Sequence, residues 1–289
     1  MLCRSLAIAL SLLWSALAFA APSVRIVPEK PRPGDVMLVT LTPDAPLDRA
    51  ACAWSGRTYP FLKCGDDYQL VLPVAASTGA GGCRATVYWK TVDGASGSAA
   101  MPVQVQPRRF GIQKLRLSAK QEGKYSVPDT AREYELIGAA LDRVSPERLW
   151  QGDFLMPVVG RISTEFGLQR YVNGHFEYRH RGLDIAAKQG TPVRAAAPGV
   201  VTLADESFHL HGKTVIIDHG QGTSSLYLHM SAIEVSPGEA VAQGEVIGRV
   251  GATGIATGPH LHYAVYAYHE AVDPRFWLHI TREVDASAR

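Results

Sequence analysis

Short apolar runs broken by proline and glycine dominate the chain. "VMLVTL" (36–41) and "ATVYWK" (85–90) read as strands, and "PRPGD", "STGAGG" and "VDGASGS" read as the turns around them. "PVQVQP" (102–107) alternates apolar and polar positions and predicts a last strand. Strands this short and this regularly punctuated predict a β-sandwich-like domain over residues 21–107. From 108 to 150 the pattern changes. "PDTAREYELIGAALDRVSPERLW" (128–150) spaces its apolar residues closer to helix than to strand; Asp129 or Thr130 suits the cap, and Pro146 suits the start of a second short helix. This segment reads chiefly as a partly helical linker; the competing reading lays it across the domain that follows. From 151 to 277 strands return, in "TPVRAAAPGVVTLAD", "KTVIIDHG", "TSSLYLHM", "EAVAQGEVIGRVGATG" and "HLHYAVYAY", with glycine at nearly every turn. They predict a compact antiparallel sheet or barrel-like domain, followed by a tail at 278–289. The expected fold class is all-β dominated.

Alternation also sorts side chains by face. In "SSLYLHM", Leu226 and Leu228 share one face, and Ser225, Tyr227 and His229 the other. That second face is either a lined cleft or a half-exposed sheet surface. In "GPHLHY" (258–263), Leu261 and Tyr263 face one way, while His260 and His262 present both rings to one place.

Composition narrows the class. Of 289 residues, 46% are hydrophobic and 19% charged, enough to build real cores. A net charge of +2 gives no bias toward polyanions, so no nucleic-acid partner is expected. Arg4, the apolar run Leu6 to Leu17 and the small residues of Ala18-Phe19-Ala20 read as a signal peptide over 1–20. No later stretch is long and apolar enough to span a membrane, so the mature chain is expected in the periplasm or outside the cell. There, one disulfide is expected among Cys52, Cys64 and Cys83, with one thiol left over.

Nine of the ten histidines fall between 175 and 269, and His279 lies in the tail. Such a collection points to a metal site or to acid–base chemistry. "HRGLD" sets His180 four residues before Asp184, where Gly182 predicts a turn into a strand. Alone this spacing is weak, and a surface histidine beside a carboxylate explains it better. Taken with His229, His260 and His262, it supplies one carboxylate and four imidazoles that can converge. Two histidines and one carboxylate fill three corners of a zinc tetrahedron, and the surplus histidines favour catalysis over a closed structural site. His175, His209, His211 and His219 read as solvated polar residues on loops or rims.

"STEFG", "HRGLD", "GTPVRAAAPGVV", "GKTVIIDHG", "YLHM" and "VSPGEAVAQGEVIGRVGATGIATGPHLH" together resemble the lysostaphin-type (LytM-like) zinc metalloendopeptidases, which hydrolyse peptidoglycan. The resemblance covers about residues 155–275. It implies His180, Asp184 and His262 as zinc ligands, His229 and His260 as the catalytic pair, and stem or bridge peptides of peptidoglycan as substrate. Tyr227 and Thr257 are candidates to orient the ligands. The N-terminal domain loosely resembles accessory domains of Gram-negative members, which implies wall positioning or self-inhibition by that region or by the linker. Which peptide bond is cut stays open. Two rivals were weighed. One is a regulator of other wall hydrolases on the same fold, disfavoured because every ligand and both acting histidines are present. The other is a lipoyl-type carrier, for which Lys213 lacks the usual flanking residues.

Overall fold

The computed structural model describes residues 22–116 and 130–280. The expected signal peptide lies outside them. Among the described residues no helix is long and apolar enough to cross a membrane.

Eight strands build the N-terminal sandwich: β1 (Ser23–Val27), β2 (Val36–Thr42), β3 (Leu47–Trp54), β4 (Arg57–Pro60), β5 (Leu62–Cys64), β6 (Asp67–Pro73), β7 (Gly81–Thr91) and β8 (Ser96–Val105). One sheet runs β1-β2-β6-β5 and the other β4-β3-β7-β8, antiparallel throughout. Val39, Leu41, Trp54, Leu70, Leu72, Val87 and Val103 fill the space between them. The buried Trp54 ring donates its Nε1–H to the Pro73 carbonyl at 2.9 Å, so its one polar atom is satisfied. The expected disulfide is absent: Cys52, Cys64 and Cys83 are all free. Register explains part of this. Cys52 lies opposite Val87 on β7, four residues along from Cys83, or roughly 13 Å, while a disulfide needs Cα atoms within about 7 Å. Cys64 belongs to the other sheet.

After the sandwich come β9 (Ile112–Leu115) and helix α1 (Ala131–Leu141). The helix buries Ile137, Ala140 and Leu141 against the second domain's core. Residues 131–141 of the segment therefore pack on that domain. Thr130 occupies the N-cap without a side-chain bond, and no helix starts at Pro146. Instead residues 145–149 run along a strand turn: Gln221 N–H bonds the Ser145 carbonyl, and Leu149 N–H the His219 carbonyl. These main-chain bonds hold the stretch as a bend at Pro146 and Glu147 where propensity alone suggested a helical turn.

The remaining elements are β10 (Arg161–Thr164), β11 (Gln169–Val172), β12 (His175–Arg179), β13 (Leu183–Ala186), β14 (Pro192–Arg194), β15 (Gly199–Asp205), β16 (Lys213–Gly220), β17 (Thr223–Met230), β18 (Ala232–Ile233), β19 (Ala240–Val241), β20 (Val246–Arg249), β21 (His260–Ala267), β22 (Glu270–Val272) and helix α2 (Pro274–Trp277). The main sheet runs β10-β13-β21-β17-β16-β15-β19, with β22 on β21. A small sheet, β14-β20-β18, accompanies it, and β9 joins β11 and β12 in a third. The tail starts later than expected, because Ile280 is buried in this core.

The middle strands do not alternate. β16 and β17 are covered on both faces, so Ser225 and Tyr227 line no cleft and no solvent face. Both lie in a buried polar chain: the Tyr227 hydroxyl accepts the Ala196 N–H (2.9 Å) and bonds Ser225 Oγ (2.9 Å). Ser225 Oγ in turn bonds His219 Nε2 at 2.7 Å. His219 is thus a core residue and not a rim one.

The two domains meet over a polar latch. Arg108 bonds the Pro33 carbonyl and pairs with Asp273, which also accepts the Arg275 main-chain N–H as the cap of α2. Asp273 N–H donates to the Gly34 carbonyl at 2.7 Å. Gly34 has φ +92, and a Cβ there would stand 2.5 Å from the Phe166 ring, so this close approach requires glycine.

Candidate metal centre

Register assembles the site. β13 and β21 pair so that Asp184 lies opposite His262. β17 pairs with the far edge of β21, placing Leu228 opposite His262. His180 sits one turn before β13, fixed by its own N–H to the Leu168 carbonyl (2.9 Å) and its carbonyl to Gly167 N–H (2.8 Å). His229 reaches the site by breaking the alternation. Opposite Lys213–Val215, strand β17 carries an extra residue, and His229 adopts φ +63. A bulge of this kind re-aims a side chain, here off the Ser225/Tyr227 face and toward β21.

The result is a compact cage. His180 Nε2 lies 3.0 Å from Asp184 Oδ1 and 3.0 Å from His262 Nδ1, and the last two are 2.9 Å apart. The rings of His229 and His260 are 4.9 Å apart, and His229 is 6.4 Å from His262. His260 Nε2 is 3.9 Å from Asp184 Oδ1. His180 and its partners are thus within reach of one ion, with His229 and His260 beside them.

Main-chain carbonyls set the tautomers. His180 Nδ1 faces the Glu165 carbonyl (3.0 Å), His229 Nδ1 that of Thr253 (2.9 Å), and His260 Nδ1 that of Gly258 (2.8 Å). A carbonyl only accepts, so each Nδ1 carries a proton, and whenever the ring is neutral its lone pair lies on Nε2. Tyr227 and Thr257, expected to do this orienting, are not the groups that hold these rings. Burial would raise the Asp184 pKa, but hydrogen bonds and charge from His180 and His262 hold it well below the carboxylate range. Burial, helped by the charges of His262 and His260 and opposed by the Thr253 bond, drives His229 down to about 3. Burial likewise lowers His262, with Asp184 opposing.

Of the four histidines set aside as solvated, His175 and His209 are exposed. His219 is wholly covered, and His211 pairs with the buried Glu133 behind His229. A cavity of about 270 Å³ lies away from this cluster, between the sandwich and Arg148, Trp150 and Gln221.

Residues 178–274 match Peptidase family M23. They form an M23 peptidase domain. It is 45% identical over 117 residues to the DD-carboxypeptidase/endopeptidase Mpg of Neisseria gonorrhoeae, covering 40% of this chain and 27% of that protein. It is 36% identical over 128 residues to the murein hydrolase activator EnvC of Escherichia coli, covering 44% of this chain and 29% of that one. The chain thus spans about a quarter of the length of these curated relatives. A solved M23 peptidase structure from Pseudomonas aeruginosa extends the likeness beyond the M23 domain: 28% identity, TM-score 0.60, 86% of this chain and 95% of that one.

Proposed function

We propose that the chain is a secreted zinc endopeptidase that hydrolyses peptide cross-links of peptidoglycan, with His180, Asp184 and His262 as the metal ligands. The observation that carries this is the cage itself. Its three atoms are two ring nitrogens and one carboxylate oxygen within 3.0 Å of one another, and the His180 Nδ1–H is directed away from them at the Glu165 carbonyl, which leaves Nε2 of the neutral ring to ligate. Three such atoms converge stably around a cation. Their separations of 2.9–3.0 Å approach the edge of roughly 3.3 Å that a tetrahedron with zinc-to-nitrogen arms of about 2.0–2.1 Å has. One nitrogen each from two histidines plus one carboxylate oxygen is also a donor set zinc accepts with a corner left open.

When bound, zinc supplies Lewis acidity to the scissile carbonyl and lowers the pKa of water from ~15.7 to about 7. The chain's residues divide the remaining work. His260 turns the lone pair of Nε2 toward the cage, so it takes the proton of the attacking water and passes it to the leaving amine. His229 is neutral and hard to protonate, which makes it a poor proton carrier. Its Nε2 lone pair orients the water, so the division of roles follows from burial.

The name of the Neisseria relative, a DD-carboxypeptidase/endopeptidase, supports peptide cross-links as substrate. The name of EnvC supports the other reading, a non-catalytic activator. The complete donor set with two neighbouring histidines weighs against it. The deciding experiment measures zinc in the purified chain and identifies new termini in digested peptidoglycan by mass spectrometry. The expected result is one zinc per chain and newly freed peptide ends, both lost in His180→Ala. A folded His180→Ala variant with full zinc and full activity would sink the assignment.

A further inference from the structure

Behind His229 lies a loop held by a carboxylate from outside the M23 match. Glu133, on α1, is 4% exposed. Its Oε1 accepts the main-chain N–H groups of His209 (2.6 Å) and Leu210 (3.1 Å). Its Oε2 accepts those of Leu210 (3.2 Å) and His211 (3.2 Å), and His211 Nδ1–H at 2.8 Å. Three successive N–H groups turned to one point form an anion-binding nest, and here the anion is a side chain of the interdomain helix. Tyr134, next on the helix, packs edge-on against the His211 ring at 5.3 Å.

The same loop carries His229. The His211 carbonyl accepts the His229 main-chain N–H at 3.1 Å. Lys213 N–H donates to Thr253 Oγ1 (3.0 Å), and Thr253 Oγ1 donates to the Met230 carbonyl (2.7 Å). The Thr253 carbonyl holds His229 Nδ1. The two loops interlock at Gly212 and Gly254: a Cβ on Gly212 would stand 2.4 Å from Thr253, and one on Gly254 2.5 Å from Gly212 N. Both the main-chain and the ring N–H of His229, which itself sits at φ +63, therefore hang on a turn that Glu133 keeps closed.

We propose that Glu133 is a positioning residue for His229, so that helix α1 helps to set the site from outside the M23 match. Without the carboxylate, three part-buried N–H groups lose their acceptor, and the turn opens to find water. The His211 carbonyl then moves, and His229 with it. As far as turnover is concerned, this rests on the role given to His229 above; the structural half does not.

The test uses the full mature chain with Glu133→Ala and Glu133→Gln. Zinc content, amide exchange at 209–211 and 229, the imidazole NMR shift of His229, and kcat and KM on peptidoglycan are measured. In Glu133→Ala, zinc is retained, the four amides exchange faster and the His229 shift moves. kcat falls by about tenfold or more, with KM within about twofold, as expected for a misplaced acting group. Sodium formate, small enough to enter the nest, restores part of kcat in Glu133→Ala and leaves the wild type unchanged. Should Glu133→Ala not fold, Glu133→Gln, which keeps one accepting oxygen, carries the same readouts with smaller changes. Unchanged amide exchange, or an unmoved His229 shift, overturns the proposal, as does faster exchange with kcat intact. A wild type inert on peptidoglycan would count against the peptidase reading instead, and the exchange and NMR arms would still decide the positioning role.

Discussion

In β8 of the sandwich every second residue from Ser96 to Gln104 is exposed, whereas β16 of the peptidase domain is covered from Thr214 to Gly220. The sandwich strands need only one apolar face, and their interior is nearly free of polar side chains. The central peptidase strands have no solvent face to which a polar group can escape. Thr214, Asp218, His219, Ser224 and Ser225 are therefore all buried, and each unpaired one costs about 1–3 kcal/mol. A buried polar residue in such a sheet needs a reason. A hydrogen-bond chain satisfies some, as for His219, and others converge on one point, as at His180, Asp184 and His262; the Ser224 hydroxyl has no hydrogen-bond partner among the described residues. The sandwich contains no histidine between residues 22 and 116, and its buried polar groups, such as Thr91 and the Trp54 ring nitrogen, bond main-chain carbonyls.

The sharpest break between the two regions is expected from His260→Ala. Loss of the acid–base group lowers kcat by roughly 10²–10⁴-fold. Zinc content and Tm stay near wild type, because His260 is not a cage atom. Steady-state kinetics beside metal analysis checks both, and a loss of zinc along with activity would move His260 into the ligand set. The counterpart in the sandwich is Leu70→Ala. Leu70 is 1% exposed, so its truncation should cost about 2–5 kcal/mol in urea unfolding while leaving kcat unchanged below the transition. A drop in kcat in the folded variant would show that the sandwich core reaches the groove.

A titration sharpens the contrast inside the peptidase domain. Burial drives His219 down to about 4, partly offset by its bond to the Pro198 carbonyl and the nearby Asp218. The folded state therefore binds fewer protons than the unfolded state between about pH 6.5 and 4. The contribution of a neutral His219 is complete above about pH 6.5 and is lost as pH falls through that window, by roughly 3 kcal/mol in all. Comparing unfolding at pH 7.5 and 4.5 for the wild type and His219→Gln should show a smaller pH loss in the variant. Equal losses would place the sensitivity elsewhere. Ser225→Ala, which strips the bond from His219 Nε2 and the Tyr227 hydroxyl, should cost about 1–3 kcal/mol at neutral pH.

The sequence was legible where side chains themselves carry the signal. Strands at "VMLVTL" and "ATVYWK" appear as β2 and β7, and "PVQVQP" closes the sandwich within β8. The spacing of His260 and His262 put both rings on one side of β21, beside Asp184 across the register. It was illegible where main chain decides. The carbonyls of Glu165, Thr253 and Gly258 orient three rings, and any residue supplies a carbonyl. Alternation misplaced His229 because one extra residue in β17 reverses the face. Nothing in the sequence marks Glu133, since its role depends on three N–H groups some 76 to 78 positions away. The disulfide failed because a count of cysteines says nothing of register.

At the surface the difference between the domains should vanish. Arg249 Nε pairs with Glu234 at 2.6 Å on the peptidase side, with side chains 39% and 37% exposed. On the sandwich, the exposed Thr42 donates its hydroxyl to the half-buried Asp67 at 2.7 Å. Water competes for both pairs and salt screens the first, so neither is held by burial. Arg249→Ala and Thr42→Ala should each cost less than about 1 kcal/mol in urea unfolding, and the Arg249 effect should shrink at high salt. If Arg249→Ala cost several-fold more than Thr42→Ala, the peptidase domain would differ from the sandwich on its surface as well as in its core. The contrast would then rest on charge and not on strands buried from both sides.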